Sequence, residues 1–277
     1  MMKLSRKIKN EVQCLLCPSY CLLSKGQRGK CLARISNGEE IILDSYGEIT
    51  SMAVELIEKK PITHFLEKGS KVLSLGSYGC SFLGKCLWCE NHKISQFKLK
   101  NFKKYSLKEI IHFAKEYTCW GICMTYNEPT ISYEFLMDLA EEAHNNSLFF
   151  FLKTNGYVNK EPWKEICGIT NAMNIDLKGS NEKYSKVLGA EGGIVKSRIK
   201  EAYNYGAHIE ISIPLHYDDI KYEINDIGSY LKSIDNNIPC HLLKIYSSYK
   251  YSKTTTDIDI KKAENILKKY MSNISIH

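Results

Sequence analysis

A chain of 277 residues is long enough for one large domain with a buried core, or for such a domain with a small appendage. Hydrophobic residues make up 44% and charged residues 25%, as in ordinary globular proteins, and no apolar run of about 18 residues predicts a transmembrane helix. The net charge of +7 arises without a dense basic run interleaved with aromatic residues, so we expect no nucleic-acid partner. The basic amino terminus lacks an apolar signal segment, so we expect a cytoplasmic protein without membrane association.

The predicted elements follow a regular order after an irregular, Cys-rich start at residues 1–35. Residues 38–56 are predicted to form two short strands around a turn at 45–47, and residues 58–69 are typical of a linker. Six strands are then predicted at 71–76, 120–125, 148–154, 172–178, 207–215 and 240–246. The predicted helices are 106–117, which starts with the capping box of Ser106 and Glu109, then 131–146, 160–167, 182–188, 193–206, 219–234 and 259–271.

Alternation of strands and helices predicts right-handed crossovers and therefore a parallel sheet. Six such units favour an α/β fold, a partial (β/α)6 barrel with a small Cys-rich N-terminal extension. We expect residues 1–70 to form a Cys-rich module with short strands, and residues 71–277 to form the barrel core with a C-terminal helix. Chemistry in such barrels lies at the carboxyl ends of the strands. Reactive residue types follow four of the predicted strands there, at 76–89, 126–128, 154–156 and 176–178.

The eleven cysteines do not suit a disulfide framework, because their number is odd and no export signal is visible. Seven of them fall in two tight groups, at 14–31 and 80–89, which indicates metal binding rather than scattered buried thiols. In the second group, Cys80, Cys86 and Cys89 lie on one loop after the first barrel strand. Three thiolates bind three irons of a cubane cluster and leave the fourth iron open. A zinc site with His92 as the fourth ligand is the alternative.

This loop, with Trp88 between its last two cysteines and Glu90-Asn91 after them, resembles the signature loop of radical S-adenosylmethionine (SAM) enzymes. The chain also resembles one branch of them, the pyruvate formate-lyase activating enzyme-like proteins and, within these, the AmmeMemoRadiSam-type enzymes. The stretches that carry this resemblance are 14–31, 57–80, 90–96, 125–135, 153–158, 174–179 and 239–250. The loop departs from the family pattern because five residues separate Cys80 from Cys86 instead of three. We expect this longer loop to bulge by two residues, and Gly84 is able to accept unusual backbone dihedrals there.

The resemblance implies a radical SAM barrel with a [4Fe–4S] cluster on Cys80, Cys86 and Cys89, and SAM as the second cofactor. Glu128 matches the carboxylate that accepts hydrogen bonds from the SAM amino group; alternatively, it only caps the following helix. Lys178 matches a lysine that pairs with the SAM carboxylate. The other residues that the resemblance places at the SAM site are Asp176 beside Lys178, Asn127, Thr154 and Asn155 near the ribose, and Trp88 near the adenine.

Two further sites are predicted outside this set. Cys14, Cys17, Cys21 and Cys31 run C-x2-C-x3-C-x9-C, which suits either a zinc ion or a second [4Fe–4S] cluster, with free thiols as the third alternative. A bound metal would stabilise a segment that has few core residues. His241 on the last strand is a candidate substrate-site residue.

The function implied by the resemblance is reductive cleavage of SAM at the cluster. The resulting 5′-deoxyadenosyl radical would abstract hydrogen from a protein, a peptide or a small molecule, and activation of a glycyl-radical enzyme is one option. We expect a low-potential electron donor of the flavodoxin or ferredoxin type. The net positive charge of this chain would attract an acidic donor, unless the charge is simply spread over the surface. The alternative function is a non-catalytic zinc-binding interaction protein.

Overall fold

The computed structural model describes residues 3–97, 102–216 and 218–277. Its N-terminal part consists of short strands, which are β1 (Ser5–Ile8), β2 (Glu11–Cys14), β3 (Leu22–Leu23), β4 (Arg34–Ser36), β5 (Ile41–Leu43), β6 (Glu48–Ile49) and β7 (Ser51–Leu56). β1, β2 and β3 form a small antiparallel sheet, and β4 pairs with β5. The strands predicted around the turn at 45–47 are present, but they pair with other partners rather than with each other.

The remaining strands are β8 (Lys71–Gly76), β9 (Lys103–Lys104), β10 (Gly121–Met124), β11 (Phe149–Thr154), β12 (Ala172–Asp176), β13 (His208–Pro214), β14 (Cys240–Leu243) and β15 (Ile274–Ile276). β9 pairs with β6, and all the others join β7 in one sheet of order β15-β14-β13-β12-β11-β10-β8-β7. β7 is antiparallel to β8, and every other pair in this sheet is parallel. The six predicted strands and their parallel arrangement are therefore confirmed, as is the partial barrel. β15 was not predicted.

The α-helices are α1 (His92–Ser95), α2 (Leu107–Glu116), α3 (Tyr133–Asn145), α4 (Lys160–Ile169), α5 (Asn181–Lys183), α6 (Gly192–Asn204), α7 (Ile220–Lys232) and α8 (Asp257–Leu267). A 3-10 helix precedes α3 at Pro129–Ser132, and a π-helix follows α5 at Tyr184–Leu188. The predicted capping box of Ser106 and Glu109 starts α2. A second one, formed by Thr256 and Asp259, starts the last helix slightly earlier than predicted. The helices pack on the outer face of the sheet, where the largest apolar cluster lies.

The inner face of the sheet is covered from one end by residues 57–70, which we call the closing segment. Its Ile57 and Ile62 are fully buried in a small apolar cluster with Phe151 of β11. Its Phe65 packs edge-on against Phe151, with ring centroids 5.7 Å apart. The prediction of a linker at 58–69 was therefore wrong, because these apolar side chains fill the interior of the barrel.

Among the described residues, none of the helices has the length and apolar character needed to cross a membrane. The division of the chain at residue 70 stays a prediction.

Candidate active site

The ten residues predicted to hold the cluster and SAM all line one cavity of about 870 Å³ at the carboxyl ends of the parallel strands. They come from four successive strand ends, because parallel strands present their carboxyl ends at the same edge of the sheet. The ten are Cys80, Cys86, Trp88, Cys89, Asn127, Glu128, Thr154, Asn155, Asp176 and Lys178.

The cysteine loop is shaped by local turns and by one buried aromatic side chain. Gly84 has a φ of +72° with no atom near the position of a Cβ, so it does adopt an unusual backbone conformation. Phe82, in the longer part of the loop, is buried and lies 5.0 Å from the ring of Tyr157. This contact anchors the loop, between its first two cysteines, against the segment that follows β11.

Several donors point at the thiols. The backbone N–H of Phe82 donates to Cys80 Sγ at 3.3 Å, and Asn155 Nδ2 lies 3.7 Å from the same sulfur. Ser95 Oγ lies 3.0 Å from Cys89 Sγ. Burial raises the pKa of the Cys86 thiol to about 12. A metal is therefore needed to hold Cys86 as a thiolate, since iron or zinc deprotonates a coordinating thiol.

The separation of the sulfurs bears on the choice between a cluster and a single ion. Zn–S bonds of about 2.3 Å place tetrahedral sulfur ligands about 3.8 Å apart. Among the described residues, the cysteine sulfurs do not form any group of three within 4.8 Å of one another. In a cubane each thiolate binds a different iron, so wider spacing is expected. His92 Nδ1 contacts the carbonyl oxygen of Cys89 at 3.1 Å and its ring stacks on Tyr249, so a metal bound by His92 would be held through Nε2.

Glu128 is fully buried where β10 ends, and burial raises the pKa of its carboxyl. Its Oε1 accepts hydrogen bonds from the N–H of Thr130 at 3.1 Å, from Thr130 Oγ1 at 2.8 Å and from Thr154 Oγ1 at 2.6 Å. Its Oε2 accepts from the N–H of Asn155 at 2.8 Å. Glu128 thus caps the 3-10 helix, and Oε2 keeps capacity for a further donor from the cavity.

The two predicted asparagines have different surroundings. The side-chain amide of Asn127 binds the backbone of residues 77–79. Its Oδ1 accepts a hydrogen bond from Ser77 N at 3.0 Å, and its Nδ2 donates to the carbonyls of Tyr78 and Gly79 at 3.2 Å. It therefore holds the entrance to the cysteine loop. Asn155 donates to Ser81 Oγ at 2.9 Å, next to Cys80.

Asp176 and Lys178 form an ion pair at 2.7 Å, and Lys153 adds a second cation to Asp176 at 2.9 Å. Burial opposes ionisation of Asp176, but the two ammonium groups outweigh it and hold the pKa of Asp176 below its usual value. Asp176 in turn keeps Lys178 protonated despite burial, so its pKa is raised. Trp88 stacks on His216 at a centroid distance of 3.4 Å and faces the cavity with its remaining surface.

Several residues of this cavity were not predicted from the sequence. Lys153 was within a predicted strand, and alternation along β11 could have placed it on the inner face beside Phe151. Tyr126 donates a hydrogen bond to Glu55, and Lys60 pairs with the same carboxylate. Lys60 also lies 4.4 Å from the centre of the Tyr126 ring. No local signal could have revealed this trio, because Glu55 and Lys60 come from β7 and the closing segment.

The four N-terminal cysteines surround a separate small pocket that is also lined by Arg34 and Ser81. Ser81 follows Cys80 directly, so the two cysteine groups are neighbours. Burial raises the pKa of Cys17 to about 12. Arg34 is 1% exposed and binds Glu134 through both terminal nitrogens at 2.7 and 2.6 Å, whereas its buried Nε has no hydrogen-bond partner among the described residues.

His241 is fully buried and does not line the cavity. Its Nδ1 lies 2.9 Å from Nε2 of His277, and His277 does line it. Contact of His241 with substrate stays a prediction.

Comparison with known proteins identifies the family. The model of the radical SAM superfamily matches residues 75–226. The uncharacterized protein MJ0808 of Methanocaldococcus jannaschii is 35% identical over 246 residues, which cover 87% of this chain and 72% of the relative.

Two solved structures illustrate the shared fold. A domain of the pyruvate-formate lyase-activating enzyme from Bacteroides vulgatus has a TM-score of 0.50 at 20% identity and covers 57% of this chain and 98% of that domain. Streptococcus suis SuiB bound to precursor peptide SuiA has a TM-score of 0.57 at 14% identity, with 80% of this chain and 51% of SuiB covered. This chain therefore belongs to the radical SAM superfamily, and its cofactors are a [4Fe–4S] cluster and SAM.

Proposed function

We propose that the cavity binds the cluster and SAM side by side and exposes a substrate to hydrogen abstraction. The observation that carries this proposal is the convergence of the three loop cysteines with Glu128 and Lys178 in one cavity. When bound, the cofactors supply one-electron cleavage of SAM to a carbon radical. The chain itself has to bind, orient and shield them.

Cys80, Cys86 and Cys89 would hold three irons of the cluster. Their spacing and the donors at Cys80 and Cys89 support this role, because hydrogen bonds to ligating sulfurs stabilise their negative charge. Membership in an enzyme superfamily speaks against the alternative of a non-catalytic zinc protein.

Glu128 and Lys178 would bind the two charged ends of the methionine part of SAM. The free capacity of Glu128 Oε2 suits an ammonium group, and the protonated Lys178 suits a carboxylate. Thr154 and Asn155 would lie near the ribose and orient Glu128. Trp88 would pack near the adenine. Asn127 would act by fixing the loop backbone, and Asp176 by positioning Lys178.

The reaction is tested by anaerobic reconstitution with iron and sulfide, followed by dithionite and SAM. We expect 5′-deoxyadenosine from the wild type and less than a tenth of that amount from Cys86→Ala. Cys167→Ala is the matched control, because Cys167 is a buried thiol on α4 outside the cavity. Equal yields from the wild type and Cys86→Ala would contradict the proposal.

For the substrate, we favour a protein or peptide, including the glycyl-radical enzyme option. The support is that a solved structure with a similar fold, SuiB, is bound to a precursor peptide. The cavity also opens past Tyr246, a side chain that is 57% exposed and available for contact with a large partner. The net charge of +7 would favour association with an acidic low-potential electron donor.

For Cys14, Cys17, Cys21 and Cys31, we favour a second iron–sulfur cluster over zinc. The separation of their sulfurs supports this, as it does for the loop cysteines. The unpartnered Nε of Arg34 would donate to cluster or thiolate sulfur. We expect about eight irons per chain in the wild type and about four in Cys17→Ala, with SAM cleavage by dithionite retained. One zinc and four irons in the wild type would contradict this assignment.

A further inference from the structure

Below the floor of the cavity, a buried carboxylate is surrounded by histidines. Glu210, on β13, is fully buried, and His241 on the neighbouring strand β14 places Nε2 at 2.6 Å from Glu210 Oε2. His64 of the closing segment places Nδ1 at 3.4 Å from the same oxygen. The ligand atoms of these three residues lie within 4.8 Å of one another.

The charge of Glu210 lacks an ordinary counterion. Within the described ranges, no lysine or arginine pairs with this carboxylate, and its ionic contacts are His64, His208 and His241. A buried carboxylate needs hydrogen bonds, a paired cation or a coordinated metal ion. Glu210 accepts the backbone N–H groups of Thr63 and His64, and a metal ion held between it and the histidines would supply the missing positive charge.

The surroundings also orient Glu210 and His241 as metal ligands. Nδ1 of His241 contacts His277 Nε2 at 2.9 Å, which fixes the orientation of its ring. Glu210 Oε1 accepts from the N–H of His64 at 2.8 Å and faces His208 Nε2 at 3.0 Å. Outer hydrogen bonds of this kind, to the second nitrogen of a histidine and to the second oxygen of a carboxylate, are typical of metal sites.

We infer that His64, Glu210 and His241 bind one divalent transition-metal ion of the Zn²⁺ or Fe²⁺ type. Two imidazoles and one carboxylate suit these ions better than Mg²⁺ or Ca²⁺, which prefer oxygen ligands alone. Three protein ligands leave a coordination position for water or another ligand. Thr63 and His277, which contact Glu210 and His241, line the cavity, so the ion would add positive charge next to it.

The site is tested on the cluster-loaded protein by adding Zn²⁺, removing the excess and measuring zinc content with its X-ray absorption spectrum. We expect one zinc per chain with nitrogen and oxygen ligands at about 2.0–2.1 Å, distinct from zinc on cysteine at about 2.3 Å. His64→Asn should lose this zinc while iron content stays the same. Its side chain is 39% exposed, so the change is tolerated by the fold.

Three further variants sharpen the result. Glu210→Gln keeps the shape of the buried side chain and should also lose the zinc, whereas His208→Asn should weaken binding about 10- to 100-fold. His112→Asn is the matched control, because His112 lies on the surface of α2, 77% exposed and 3.8 Å from Glu116. It should bind zinc as the wild type does.

Absence of nitrogen- and oxygen-ligated zinc in the wild type would overturn the inference. Retention of the zinc in both His64→Asn and Glu210→Gln would overturn it as well. SAM cleavage is measured on the same preparations, so failure of the metal site and failure of the radical reaction are separate results.

Discussion

Replacement of Glu128 by glutamine separates the structural role of this side chain from its role in SAM binding. The carboxylate accepts a backbone N–H on each oxygen, from Thr130 on Oε1 and from Asn155 on Oε2. The amide of glutamine has only one accepting oxygen. Whichever way it turns, one buried N–H loses its acceptor.

The size of both effects follows from these contacts. A buried N–H without an acceptor costs about 1–3 kcal/mol, so the free energy of unfolding should fall by that amount. A hydrogen bond between a carboxylate and an ammonium group contributes about 1.5–3 kcal/mol. Its loss should raise the Kd of SAM roughly 10- to 100-fold.

The assay measures SAM binding by calorimetry on anaerobic, cluster-loaded protein, together with denaturant unfolding. Glu223→Gln is the matched control, since Glu223 is also buried and accepts two hydrogen bonds, both from Ser180, but lies outside the cavity. It should lose stability and keep its SAM affinity. An unchanged Kd of Glu128→Gln at full iron content would refute the assignment of Glu128 to the SAM amino group.

Three further changes give distinct outcomes. Gly79→Ala would place a Cβ 2.1 Å from a backbone oxygen of the N-terminal module, so we expect the melting temperature and the iron content to fall together. Gly84→Ala has open space around it and should lower the free energy of unfolding by only about 1 kcal/mol, because of its positive φ. Equal effects of the two substitutions would contradict this packing. Asn127→Ala removes three hydrogen bonds to the loop backbone, so the free energy of unfolding should fall by about 2–4 kcal/mol. Chemical denaturation measures this change, and unchanged stability would contradict the expectation. Lys153→Met leaves Asp176 with one cation, so Asp176 should attract Lys178 more strongly. SAM should then bind several-fold more weakly. Unchanged affinity in calorimetry would argue against this coupling.

The candidate site was predictable to the extent that its residues lie in short segments at strand ends. The cysteine loop, Glu128 and Lys178 were located because each follows or ends a recognisable apolar strand, and parallel strands bring such ends together. The hydrogen-bond partners of these residues were harder to predict from the sequence. The amide of Asn127 was matched to the SAM site, but its observed hydrogen bonds all go to the loop backbone. That difference depends on side-chain orientation, which spacing along the chain does not encode.

The sequence by itself determined the six parallel strands, the capping box of α2 and the grouping of the cysteines, because these depend on the pattern of neighbouring residues. Tertiary structure alone decided that the closing segment fills the barrel, that β15 extends the sheet, and that Glu210 meets His64 and His241. Such contacts join residues far apart in the chain. They depend on topology and strand register, which fix how distant segments meet only once the whole sheet has formed.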